Sequence, residues 1–225
     1  MSAERGSRLD PSRGAAIYSP FVLSLYDVAV HGVSNTFAWG CPTSELVALY
    51  DANVSARHMD IGVGTGLFLD RCRFPVPDPA IALVDLNQNT LRFASDRIRR
   101  YRPKVHAANV LEPFDPGGEP FESIGMTYLL HCLPGDLRSK SVVFRNIRPM
   151  LSDRGVVFGA TILGRGVPKN RLASALMAVY NRRGVFSNRE DSEERLREAL
   201  EEHFDRVEIT VRGMVAIFTA RRPRK

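Results

Sequence analysis

Between His58 and Asp70 the chain reads His-Met-Asp-Ile-Gly-Val-Gly-Thr-Gly-Leu-Phe-Leu-Asp: an acid at Asp60, glycines at Gly62, Gly64 and Gly66, then an apolar stretch. Glycine has no Cβ and tolerates positive φ, so alternate glycines let a backbone turn tightly and let another group approach it closely. The segment predicts a buried strand turning sharply into a helix whose first N–H groups face the turn. A dinucleotide fingerprint G-x-G-x-x-G would need glycine at position 67, where Leu67 stands. No lysine follows the glycines, which argues against a phosphate-cradling P-loop.

Toward the C-terminus, apolar runs continue to alternate with helical periodicity, the pattern of an α/β fold with a largely parallel sheet. Strands are predicted over 57–62, 80–85, 104–108, 121–130 and 154–162. A helix capped by Asn87 runs to Arg100, another spans Leu137 to Met150, and an inserted one spans Asn170 to Arg182. Ser187 and Glu190 form a capping-box pattern for a further helix that carries Leu196, Ala199, Leu200 and Phe204 on one face. Arg206–Val211 and Val215–Ala220, joined by Arg212-Gly213-Met214, read as a hairpin. Pro75 to Pro79 is a rigid loop.

At 225 residues and 44% hydrophobic, the chain can bury one core but lacks the length for a second full domain. Residues 1–16 are expected to be a flexible leader, 17–55 an N-terminal helical segment, 56–221 the core, and 222–225 a basic tail. That segment would hold two short helices, Phe21 to Val30 and Thr43 to Tyr50, set among aromatic side chains, either covering a site or packed on the sheet for stability. No run approaches the ~20 apolar residues that span a bilayer, and the charged N-terminus lacks the apolar stretch of a signal peptide. Three widely spaced cysteines, Cys41, Cys72 and Cys132, fit a reducing cytoplasm. The net charge of +6 comes from scattered arginines and the tail, which reads as solvated surface rather than a nucleic-acid groove.

Taken with the acid ahead of it, the turn is D-x-G-x-G-x-G, which resembles motif I of the class I S-adenosylmethionine (SAM)-dependent methyltransferases. Residues 121–135, Phe-Glu-Ser-Ile-Gly-Met-Thr-Tyr-Leu-Leu-His-Cys-Leu-Pro-Gly, are similar to the strand-four segment of UbiE-like ubiquinone-biosynthesis methyltransferases. The order of such parts carries the resemblance over about residues 56 to 162. It implies a Rossmann-like seven-stranded, mostly parallel sheet with a C-terminal antiparallel hairpin and an N-terminal helical lid over the site.

The resemblance also implies SAM as cofactor and S-adenosylhomocysteine (SAH) as its product. Gly62, Gly64, Thr65 and Gly66 would form the turn beneath the cofactor, with Asp60 orienting its ammonium directly or through a water. Asp85, at the end of the second strand, can accept two hydrogen bonds from a ribose diol, with Leu86 beside it. Asn109 stands where the family has an aspartate, and its carbonyl can still accept from the adenine amine, with Val110 packing on the ring. A turn role for Asn109 and a capping role for Asp85 remain alternatives. Tyr128, and more weakly Tyr26, would complete the cofactor site.

Methyl transfer needs an aligned acceptor and excluded water, and in some cases a proton acceptor. His131 follows the fourth strand where substrate would meet cofactor, and as a neutral imidazole it is a candidate base; a packed histidine is the alternative. His31 is a weaker candidate, and Tyr18, Trp39 and His131 could line the acceptor site. The (N/D)-P-P-(Y/F) tetrapeptide of enzymes that methylate DNA bases is replaced by Thr127-Tyr128-Leu129-Leu130. Strand five ends without an acid and no zinc spacing exists, so no metal is expected. The reading is methyl transfer to O, N or C of a small, partly apolar or aromatic metabolite. The alternatives are a SAM-fold protein that binds without transferring, and an NAD-dependent oxidoreductase. No nucleic-acid partner or membrane span is expected; oligomeric state is open, a homodimer included.

Overall fold

The computed structural model describes residues 35–224. Seven strands form one sheet: β1 (Arg57–Ile61), β2 (Ala80–Asp85), β3 (Lys104–Ala107), β4 (Phe121–Thr127), β5 (Leu151–Ile162), β6 (Phe204–Arg212) and β7 (Val215–Pro223). Their order is β3-β2-β1-β4-β5-β7-β6. The first five pair in parallel, whereas β7 runs antiparallel to both β5 and β6. This is the expected Rossmann-like sheet with a closing hairpin.

Helices cover both faces, which is why the central strands are apolar runs rather than alternating ones. On one face lie α1 (Thr43–Asn53), α2 (Leu67–Arg71), α3 (Gln88–Arg97) and α6 (Arg171–Arg182). Leu46, Tyr50, Phe68, Leu91 and Met177 from these helices share a core with Phe158 of β5. On the other face α4 (Leu137–Lys140), α5 (Val142–Ile147) and α7 (Glu193–Glu201) bury Leu137, Val143, Phe144, Ile147, Leu196 and Leu200 against Met59, Ile124 and Phe218.

Several boundaries move for local reasons. Asn87 does cap α3, accepting from the Asn89 N–H, but the α-helix ends at Arg97 and a 3₁₀ turn, Arg99–Tyr101, finishes it. Strand β4 stops at Thr127, short of the expected 130, because Tyr128 adopts φ 65°, which no strand can hold. The single helix expected over 137–150 is α4, α5 and a 3₁₀ turn at Arg148–Met150: the Ser141 hydroxyl donates to the Arg138 carbonyl, and Pro149 lacks an N–H. Ser187 does not cap α7. Ser192 does, accepting from the Arg195 N–H, while Ser187 is drawn back to the loop after β4 by bonds to the His131 and Gly135 carbonyls. Strand β7 continues through Pro223, so Arg222 and Pro223 of the basic tail belong to the sheet.

Of the lid, Thr43–Asn53 forms α1, packed on the sheet through Leu46, Leu49 and Tyr50. The expected leader, the helix over Phe21–Val30, and Tyr18, Tyr26 and His31 lie outside the described residues. Among the described residues, no helix is long and apolar enough to cross a membrane.

Candidate functional site

Strand order reverses direction at β1, with β2 on one side and β4 on the other, and in open α/β sheets ligands bind at such a switch point beyond the carboxyl ends of the strands. A cavity open to solvent lies there. It gathers Asp60, Gly62, Gly64 and Thr65 from β1 and its turn, Asp85 and Leu86 from β2, Asn109 and Val110 after β3, and Tyr128 after β4. These are the residues the sequence singled out for a cofactor, apart from Gly66, which is not in the lining, and Tyr26, which lies outside the described residues.

The three glycines serve three purposes, all at positive φ. A Cβ on Gly62 would come 2.8 Å from Leu129 Cδ1, and one on Gly66 would press the α3 backbone at Ala94 from 3.2 Å. Gly64 has no atom within 4 Å of its missing Cβ, so its backbone is what the cavity meets. The helix after the turn is short, five residues, and the turn itself forms the floor. Thr65 braces it by accepting from Arg97 Nη1 at 3.0 Å.

Asp85 accepts from the Asn87 N–H at 2.8 Å and lies half-buried at the cavity wall. Burial pushes its carboxyl up to about 6, against the pull of backbone N–H groups at Asn87, Leu86 and Val63, and the charge of Asp60 adds to the rise. Leu86 stays 40% exposed at the rim, an apolar surface left for a ligand. Asn109 does take the turn role, its Oδ1 accepting from the Leu111 N–H at 3.1 Å and its amide donating to Glu112. A second lone pair on Oδ1 remains available to an amine. Tyr128 is held in its left-handed conformation by an N–H bond to the Ala160 carbonyl at 2.7 Å, a strained backbone at the cavity wall of the kind found at functional sites.

Two candidate acceptor-site residues lie elsewhere. Trp39 is buried in the core, its carbonyl accepting from the Met214 N–H and its ring 6.0 Å from that of Phe186. His131 is not among the cavity-lining residues. Its Nδ1 accepts from the Ile162 N–H at 3.3 Å, and its ring packs edge-on against Phe186 at 4.5 Å and Tyr128 at 5.6 Å. Burial, with the Lys140 charge second, pushes its pKa down to about 3. An imidazole whose Nδ1 is engaged and whose basicity is this low is poorly suited to take a proton near neutral pH.

The cavity also includes residues the sequence did not single out, chiefly Tyr50 from α1 and Leu129, Cys132 and Leu133 after β4. Burial pushes the Cys132 thiol up to about 12, so it meets the cavity as a neutral, unreactive group. Among the described residues no group of three or more His, Cys, Asp or Glu side chains could hold a metal ion.

A model of a methyltransferase domain matches residues 59–157. Demethylluteothin O-methyltransferase of Streptomyces thioluteus is 42% identical over 207 residues, covering 92% of this chain and 90% of its own. The physcion biosynthesis cluster O-methyltransferase of Aspergillus chevalieri is 40% identical over 222 residues, covering 96% and 99%. Among solved structures, the complex of DhpI with SAH has a TM-score of 0.67 at 12% identity, covering 96% of this chain and 98% of that one. N-methyltransferase NodS from Bradyrhizobium japonicum WM9, in complex with SAH, has a TM-score of 0.59 at 14% identity, covering 91% and 98%. At such identities the structures speak for the fold, and the sequence relatives for the family. With a glycine turn, two carboxylates at adjacent strand ends and relatives alike along almost the whole chain, this protein belongs to the class I SAM-dependent methyltransferases.

Proposed function

We propose that this enzyme methylates a hydroxyl oxygen of a small, partly apolar or aromatic metabolite. The observation that carries the oxygen is the pair of relatives named as O-methyltransferases, each matched over at least nine-tenths of both chains. A cavity walled by Leu86, Val110, Leu129 and Leu133 suits a flat, partly apolar nucleoside. Its two carboxylates, Asp60 and Asp85, suit a cationic group and a diol; a pyrophosphate beside Asp60 would meet like charge. The residues therefore fit SAM better than a dinucleotide.

On this reading the Asp85 carboxylate accepts from the ribose hydroxyls, Asn109 accepts from the base amine, and Leu86 and Val110 flank the base. Asp60 faces the cationic methionine end. The bound cofactor supplies an electrophilic methyl carbon. The chain's own task is to hold an acceptor oxygen in line with that carbon and to exclude water, which requires no dedicated nucleophilic side chain. The acceptor proton leaves to solvent.

Incubating the purified enzyme with SAM and a panel of phenols, enols, amines and thiols tests the reading. Equimolar SAH and an O-methylated product are expected; transfer to nitrogen alone, or cofactor binding without turnover on any acceptor, would sink it. His131 is read as a packing residue. His131→Phe should keep kcat within about threefold while destabilising the fold by about 1–3 kcal/mol, since it leaves the Ile162 N–H without its acceptor. A hundredfold fall in kcat at unchanged stability would restore the base.

A further inference from the structure

Asp60 is 4% exposed on β1, an interior strand of the sheet, a place where a lone carboxylate is costly. Tyr50 Oη donates to its Oδ2 at 2.7 Å, and His58 Nε2 approaches the same oxygen at 3.4 Å. Behind His58, Nδ1 lies 2.8 Å from Ser123 Oγ, which is 2.6 Å from Ser55 Oγ. In the tautomer that gives Asp60 a second donor, Ser123 Oγ accepts from the Ser55 N–H at 3.0 Å and from the Ser55 hydroxyl, and donates its own proton to His58 Nδ1. His58 Nε2 then carries the remaining ring proton and points it at Asp60. Burial and the charge of Asp60 hold the Tyr50 phenol well above its ordinary value, so it too remains a donor.

Both bonds fall on Oδ2, leaving Oδ1 without a protein partner among the described residues while Asp60 lines the cavity. The neighbouring strand makes room for this. Gly125 stands opposite Asp60 in β4, and a Cβ there would lie 2.8 Å from Asp60 Oδ2 and 3.2 Å from His58 Cε1. Rings fill the remaining space, Phe158 lying 5.7 Å from His58 and 5.0 Å from Tyr50.

We infer that Tyr50 and His58 are positioning residues for the cofactor, a buried relay that fixes Asp60 with one oxygen pinned and the other turned to the cationic end of SAM. The inference rests on the reading of this cavity as the cofactor site. Neither residue needs to touch the cofactor's charged groups for its loss to be felt there.

A double-mutant cycle on the full chain tests it, with SAM and SAH affinity read by calorimetry and stability by unfolding without ligand. Tyr50→Phe, which keeps the ring, should weaken both ligands about tenfold and raise the KM for SAM at nearly constant kcat, as expected for one hydrogen bond to a charged group. In an Asp60→Asn background the same change should weaken binding less than about twofold, because the carboxylate it serves is gone. Equal losses in the two backgrounds, or lowered stability with wild-type affinity, would overturn the relay. If Tyr50→Phe is silent while Asp85→Asn still weakens SAH, the relay fails and the cavity reading stands. If both are silent, the cavity reading falls and the relay with it.

Discussion

Asp85→Asn is expected to weaken SAM and SAH binding by about 2 kcal/mol, roughly thirtyfold, with little change in stability. The variant keeps an oxygen for the Asn87 N–H that Asp85 serves at 2.8 Å, so the turn after β2 survives. What is lost is the charge. A carboxylate accepts from both hydroxyls of a diol at once, whereas an amide has one acceptor oxygen and an NH₂ that meets the second hydroxyl donor to donor. The same side chain sets a pH dependence. With the folded carboxyl raised to about 6 by burial, it is protonated below that pH and ionised above it. Because hydroxyl donors bind the ionised form, affinity should rise as pH increases from 5 through 6 and level off by about 7, with a proton released on binding at the low end. Asp85→Asn should be flat across this window. Calorimetry with SAH from pH 5 to 8 decides it: a pH break that persists in the variant belongs to another group, and wild-type affinity in the variant removes Asp85 from the site.

The parts of this site that were legible in the sequence are those fixed by backbone chemistry over a few residues. Gly62, Gly64 and Gly66 all take positive φ, which side chains resist, so their spacing declared the turn. Asp60 and Asp85 stood out because an acid at the end of an apolar strand must have a reason to be there. The opaque parts depend on contacts between distant segments. Tyr128 sits at φ 65° because Ala160, on the next strand, takes its N–H, and nothing within four residues of Tyr128 encodes that. Position alone made His131 look like a base, yet the orientation of its ring is set by the Ile162 N–H and by Phe186. Ser187 has the better local capping pattern, but Ser192 caps the helix because Ser187 is bound to the loop after β4. Tyr50 stood in the sequence only as the end of a predicted helix, and only the packing of α1 on the sheet brings its hydroxyl to Asp60.

Lys140→Met is expected to destabilise the protein by about 3–5 kcal/mol, a large part of the ~5–15 kcal/mol that holds a domain folded. Lys140 and Asp191 are both fully buried, 51 residues apart in sequence, with Nζ 2.7 Å from Asp191 Oδ2 and 2.6 Å from the Ser187 carbonyl. Burial opposes both charges, lowering the lysine pKa and raising that of the aspartate, and each charge opposes the shift of the other. Removing the lysine leaves a buried carboxylate and an unpaired carbonyl with no solvent to take over. In a chain of this size the melting temperature should fall by roughly 6–20 °C. Lys140→Met/Asp191→Leu should recover most of the loss, since Asp191 Oδ1 already lacks a partner and a buried pair is worth little over well-packed apolar side chains. A double variant as unstable as the single one would show that shape, not charge, carries the cost. The pair also bears on the cavity, because it ties the segment around Ser187 and Asp191 to α4. That same segment bonds His131 and Gly135, on either side of the cavity-lining Cys132 and Leu133. Affinity for SAH should therefore fall in Lys140→Met measured below its melting point, and return with stability in the double variant.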